Sequence, residues 1–317
     1  MRVLVAGASG AIGRPLVPQL LAAGHDVVGI TRRDDRAAAI RATGADAVVL
    51  DVLDRGAVDR TVRELRPDVV VDQLTSLPEE YDLRRLDLLY GETNRVRRDG
   101  TGALLAAAEA HGVGRYLVQS IAFLYAPEGD RVQDEDGRPW TDAPEPMGEA
   151  IRIMVDNERR VIGSDRLVGL ALRYGFFYGP GTYLAPGGSF ERMTRRRMLP
   201  IVGRGTGLTS YVHVHDAASA TVAAVERGGP GIYNVVDDEP AAQREWTPEL
   251  ARALGAGRPL RLPRWVARVA AGPLVAGMAL EMRGADNARA RQELRWEPAL
   301  PSWREGFRTA LDADPPR

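Results

Sequence analysis

Short apolar runs alternate along the first half of the chain with longer stretches whose apolar residues recur at helical spacing. Val3–Ala6, Asp26–Ile30, Ala47–Leu50, Val69–Asp72, Tyr116–Gln119 and Leu167–Leu172 are short and rich in Val, Leu and Ile, which predicts strands. Pro15–Ala23, Arg36–Thr43, Ala57–Leu65, Gly102–Ala110 and Ile151–Ile162 carry the helical period between them, with Leu104, Leu105, Ala108 and Val113 on one buried face. Strands joined by helical crossovers predict an α/β fold, a Rossmann-like doubly wound parallel sheet. A further strand, Gly231–Val236, is expected to return to that sheet.

The second half lacks this rhythm. Gly179–Gly188, Met198–Gly207 and Ala256–Glu281 are rich in Gly, Pro and Arg and read as segments inserted after the later strands. They predict a smaller C-terminal lobe over the carboxyl ends of the sheet, where such folds bind ligands. The expected division is residues 1–175 as the dinucleotide-binding domain and 176–317 as mainly a substrate-binding lobe. Pro127–Pro146 reads as a solvated surface loop, Asp312–Arg317 as a frayed tail, and Tyr81–Arg98 as too rich in Arg for a subunit seam.

Composition narrows the function classes. The chain of 317 residues has a formal net charge of −1, so no basic excess attracts nucleic acid. It has no cysteine, which excludes disulfides, zinc–thiolate sites and a cysteine nucleophile; no metal is expected. Met1 leads straight into a strand with no secretory n-region, which makes the cytoplasm the expected location. Val269–Leu280 is too short to span a membrane, which takes about 20 apolar residues, and is expected to be a core helix broken near Gly272-Pro273. All 42 basic residues are arginine.

Gly7, Gly10 and Gly13 follow the first strand and open the first helix, the context that a dinucleotide loop requires. The first glycine permits the tight turn, the second lets a pyrophosphate approach the backbone, and the third lets helix and strand pack closely. Ser9, Ala11 and Ile12 belong to the same loop, and the helix N-terminus offers free N–H groups to phosphate. At the end of the second strand, where an acid would bind the ribose 2′-hydroxyl, stand Thr31, Arg32 and Arg33. A guanidinium suits a 2′-phosphate, so the expected cofactor is NADP(H), with Arg14 as a second contact.

The Gly-xx-Gly-xx-Gly spacing, Leu172-Arg173 with Tyr178-Gly179-Pro180-Gly181, His213-Val214-His215-Asp216 and Tyr233-Asn234-Val235 occur in the order of the extended short-chain dehydrogenase/reductase family, which this chain resembles over nearly its whole length. The resemblance implies that Asp51 and Val52 face the adenine, that Leu74 and Thr75 form a small-residue turn beside the cofactor, and that Tyr174 stands with them. It implies a Ser/Thr, Tyr, Lys relay as well. Here the Tyr-xxx-Lys pair falls on Met147 and Ile151, and the Ser position on Ile121, with Ser120 one residue earlier as a weak candidate donor. The family's diphosphate-gripping Arg falls near Thr209 and Ser210. The chain is similar in this to an atypical branch without the Tyr/Lys pair, which includes angucyclinone ketoreductases of the simocyclinone type.

Hydride delivery to a ketone builds alkoxide charge that something must neutralise. With the relay absent, a phenol on the substrate is the expected proton source. The implied reaction is NADPH-dependent reduction of a ketone on a bulky, polycyclic aromatic substrate. Ile121, Met147 and Ile151 would widen and dry the pocket, and Phe123, Phe176 and Phe177 would wall it. Two alternatives stay open: a non-catalytic NADP-binding redox sensor, and a nucleotide-sugar epimerase or dehydratase with a displaced acid. The expected partner is a small molecule, without nucleic acid or membrane, on a monomer or homodimer.

Overall fold

The computed structural model describes residues 1–78, 80 and 86–311. The expected tail Asp312–Arg317 and part of the Tyr81–Arg98 segment lie outside the described residues. Seven parallel strands form the central sheet: β1 (Arg2–Ala6), β2 (Asp26–Thr31), β3 (Asp46–Val49), β4 (Val69–Asp72), β5 (Arg115–Ile121), β6 (Val168–Tyr174) and β7 (Gly231–Val235). Their order is β7-β6-β5-β4-β1-β2-β3, so the chain winds outward from β1 in both directions. Near-continuous Val, Leu and Ile in β1, β4 and β6 suit strands covered on both faces.

Helices α1 (Gly13–Ala22), α2 (Asp34–Arg41), α3 (Arg55–Leu65), α4 (Leu86–Arg95), α5 (Thr101–Ala110) and α6 (Met147–Ile162) supply the first crossovers. One face of the sheet packs Val3, Val5, Leu117, Leu170 and Leu172 against α1 and the helix Val214–Glu226. The other packs Leu4, Val70, Tyr116 and Val118 against α3 and α5. Between α4 and α5 the chain makes a π turn, Val96–Gly100.

Two expectations need correction. Pro127–Pro146 is not simply solvated. Its Val132–Gln133 pairs with Gly284–Ala285, Glu135 is 4% exposed, and Glu135 Oε1 accepts from Asn234 N at 2.8 Å. Alternating buried and exposed residues hide this from a reading of composition. The helix Arg264–Glu281 is broken at Gly272, which has φ of 88°, but its first half is mostly exposed: Trp265 is 71% and Val269 84% exposed, while Ala267 is buried. Among the described residues no helix is long and apolar enough to cross a membrane.

Lobe segments begin after β6, and β7 then returns to the sheet edge beside it. The lobe has its own aromatic core, in which Tyr211 packs edge-on against Trp246 and Phe307.

Candidate functional site

β1 delivers the chain to Gly7 at the carboxyl edge of the sheet. Gly7 has φ of 82°, and a Cβ there would lie 2.5 Å from the carbonyl oxygen of Gln73. A Cβ at Gly13 would stand 2.4 Å from the carbonyl oxygens of both Gly7 and Ala8. Gly10 is exposed, and its N–H donates to Gly7 O at 2.9 Å. Ile12 is buried in the core and Ala11 half-buried. No side chain caps α1 at Ile12 and no acid occupies its first turn, so the helix dipole is open to an anion. The loop therefore fits a dinucleotide pyrophosphate. Ser9 Oγ lies 3.4 Å from Thr31 Oγ1, which ties the loop to the end of β2. Arg14 Nε donates to Ser9 O at 3.2 Å, and a Cβ at Gly181 would lie 3.6 Å from Arg14 Nη1.

At the end of β2, Arg32 is exposed and donates to Ser76 Oγ and Glu92 Oε1, both at 3.2 Å. Arg33 pairs with Asp35 at 2.7 Å. Asp51 Oδ1 accepts from Leu53 N, while Val52 and Leu74 bury themselves against Gly100 and Thr75 stays half-buried. Arg36 joins Ser9, Arg14, Ile40 and Thr43 around a depression of about 230 Å³ between α1 and α2. Arg36 carries no motif in the sequence; it stands in the first turn of α2, just after Arg32 and Arg33. Tyr174 is not on the cofactor surface. It is 1% exposed, and its hydroxyl is shared between Gln73 Nε2 at 2.8 Å and Thr221 Oγ1 at 2.7 Å beneath the loop.

The relay positions are filled solid. Ile121, Met147 and Ile151 are 8%, 1% and 0% exposed and pack with Leu124, Met154 and Val236. Met147 and Ile151 lie on successive turns of α6 and face inward together. They back the site rather than widen it, a correction to the expected pocket lining. Ser120, sealed at 0%, has an Oγ without a hydrogen-bond partner among the described residues. Phe123 and Phe176, both half-buried, stack on each other with ring centroids 4.0 Å apart. Phe177 points the other way along its strand, against Tyr174 and the sheet core, so it is not a pocket wall.

Tyr125 is occupied and Tyr178 is deeply buried. Tyr125 donates to Asn234 Oδ1 at 2.7 Å and accepts from Arg173, and burial pushes its pKa up to about 12. Arg173 in turn makes a bidentate pair with Glu158 at 2.7 and 2.8 Å, both residues buried. Burial also raises Tyr178. His213 is pushed down to about 4 by burial and by His215, and so is neutral at pH 7. The arrangement can hold a dinucleotide and keep water from an apolar wall. It presents no ordinary proton donor at the relay positions.

Residues 3–235 match the NAD dependent epimerase/dehydratase family. A Streptomyces sp protein named 3-diazoavenalumate denitrifying reductase is 47% identical across 97% of this chain and 99% of its own. Among solved structures, the human epimerase family protein SDR39U1 with NADPH aligns at a TM-score of 0.77 and 21% identity, covering 99% of this chain and 100% of that one. The Thermus thermophilus UDP-glucose 4-epimerase complex with NAD aligns at 0.72 and 27% identity over 98% of each chain.

Proposed function

Since this chain belongs to the NAD dependent epimerase/dehydratase family, we propose that it is an NADPH-dependent reductase that removes a diazo group from a flat conjugated or aromatic substrate. The observation that carries this reading is the apolar filling of all three relay positions, Ile121, Met147 and Ile151. A reduced nicotinamide cofactor, held through its pyrophosphate at the glycine loop, would supply a hydride. A diazonium group is already an electrophile, and its nitrogen pair is also the leaving group. The hydride pair forms the new C–H bond, the C–N bond breaks, and dinitrogen departs with the electrons of that bond. No alkoxide develops, so the site needs no acid. The 47% identical relative, named for a denitrifying reduction of a diazo compound, supports the same class.

The chain's own residues then have limited tasks. Gly7, Gly10 and Gly13 would hold the pyrophosphate, with Arg14 beside it. Arg32 would receive a 2′-phosphate, the basis for preferring NADPH. Phe123 and Phe176 hold the substrate ring by stacking. The packed cluster behind them excludes water.

The competing acceptor is the ketone beside a phenol that the sequence analysis expects, where the substrate's own hydroxyl neutralises the alkoxide. Purified protein with NADPH is offered a flat diazo phenol and, separately, a polycyclic hydroxyketone. The expected result is NADPH oxidation only with the diazo compound, with dinitrogen released mole for mole and detected by headspace analysis. Reduction of the ketone with the diazo compound untouched overturns the proposal in favour of the ketoreductase. Cofactor binding without turnover of either overturns it in favour of the redox sensor.

A further inference from the structure

We infer that the tip of the lobe is a docking surface for an anionic lipid bilayer, which it meets through Trp265 and Val269 flanked by arginines. The inference is independent of the reaction proposed above.

The formal net charge of −1 is an average over a strong segregation of charge. Residues 192–215 and 250–280 hold ten arginines and no acid. Four of the ten pair with acids outside those segments: Arg192 with Glu80, Arg195 with Glu191, Arg252 with Glu249 and Arg264 with Glu281. Arg196, Arg197, Arg204, Arg258, Arg261 and Arg268 are exposed and have no ion pair among the described residues. The even balance that argues against an anionic partner for the whole chain therefore does not hold here.

The fold brings the two segments together. The strand Ile201–Val202 pairs in parallel with Arg261–Leu262, with Ile201 opposite Arg261. The same offset holds upstream, where the Arg197 guanidinium lies against Gly257. Met198 and Leu260, 52% and 48% exposed, stand on this stretch among the arginines. The helix Arg264–Glu281 follows at once, and its Ala267 packs inward with Val202. At about 100° per residue, Trp265 and Val269 then point away from the lobe, with Arg264 and Arg268 beside them. The exposures agree, at 71% for Trp265 and 84% for Val269.

What covers this surface must be anionic and apolar at once. A second copy docked face to face would set arginine against arginine. A phosphate backbone would satisfy the guanidinium groups and leave Val269 in water. Side chains as exposed as Trp265 and Val269 stand out from the surface, and a fluid bilayer accepts them without a matching pocket. Its headgroups supply the negative charge, and tryptophan favours that interface. Four apolar side chains on one surface make a peripheral contact, not a span.

The probes are vesicles of phosphatidylcholine alone and vesicles in which it is mixed with phosphatidylglycerol. Of the five tryptophans only Trp265 is exposed, so a blue shift of emission reports its entry into lipid. The full chain, loaded with NADP, should float with the anionic vesicles and not with the neutral ones, and salt should release it. Trp265→Ala should remove the blue shift and weaken binding. Arg261→Gln combined with Arg268→Gln should weaken it about twentyfold. All three positions are exposed, and NADPH titration confirms that each variant is folded. A protein that ignores the anionic vesicles overturns the proposal. So does equal binding to neutral vesicles, or binding that both variants retain in full. Salt-sensitive binding without a blue shift, matched by binding to poly-glutamate, overturns it in favour of an acidic protein partner.

Discussion

Arg32 extends from the end of β2 to Ser76 and Glu92, so its fork is held across the edge where a ribose 2′-substituent would lie. Removing it should weaken NADPH binding about tenfold and leave NADH almost unchanged, the worth of one charge-assisted contact at an exposed site. Fluorescence titration of Arg32→Ala with both cofactors checks this, and equal losses would remove the assignment. Glu158 illustrates the opposite environment. It and Arg173 are 3% and 2% exposed, and the pair also positions Tyr125 and the Glu135 carbonyl. Glu158→Gln leaves a buried guanidinium uncompensated and should cost about 3–5 kcal/mol in urea unfolding. Replacing both partners by apolar residues should cost less. Arg32 was legible in the sequence because strand end and motif fix its place. The Arg173 pair was not, since Glu158 reads as one more polar residue on an amphipathic helix.

The π turn at Val96–Gly100 organises one side of the site. Gly100 is there because a Cβ would meet Val52 Cγ2 at 2.9 Å and Leu74 Cδ1 at 3.2 Å. Gly100→Ala should therefore displace Val52 and Leu74, the floor proposed for the adenosine, and weaken both NADH and NADPH several-fold, unlike the selective effect at Arg32. Calorimetric titration with each cofactor separates the two cases. The strands of the sheet were legible to within a residue or two because burial on both faces leaves unbroken apolar runs. The segment around Arg95, Arg97 and Arg98 was not. A run of arginines reads as solvated, and only the widened turn sends the middle one inward while its neighbours stay exposed. The same limit applies to Phe176 and Phe177: adjacent aromatics were expected to wall one pocket, but strand alternation puts them on opposite sides.

Across the whole molecule, the lobe and sheet meet at Asp237, just beyond β7. It is 1% exposed, and burial pushes its carboxyl up to about 8. The folded protein holds a proton there that the unfolded chain, with an ordinary value near ~4, releases. Its contribution to stability is complete below about pH 4 and is lost as the pH rises through 8. Asp237→Asn, which mimics the protonated form, should flatten the pH dependence and raise Tm at pH 8 by a few degrees, since about 1 kcal/mol moves Tm by roughly 2–4 °C in domains of somewhat smaller size. A thermal melt series from pH 5 to 9, in about one-unit steps, reads this directly. An unchanged slope would mean that Asp237 ionises normally. The parallel sheet was predictable from periodicity; the burial of one acid in a run of three, Asp237-Asp238-Glu239, was not. The interleaving of lobe and sheet has a further consequence during synthesis. β6 is complete at Tyr174, but its neighbour begins only at Gly231. At about 5–20 residues per second, the growing chain presents an apolar strand edge for roughly 3–11 s before β7 can cover it. The nascent protein passes its interval of greatest vulnerability to aggregation after the cofactor loop and six strands have been made.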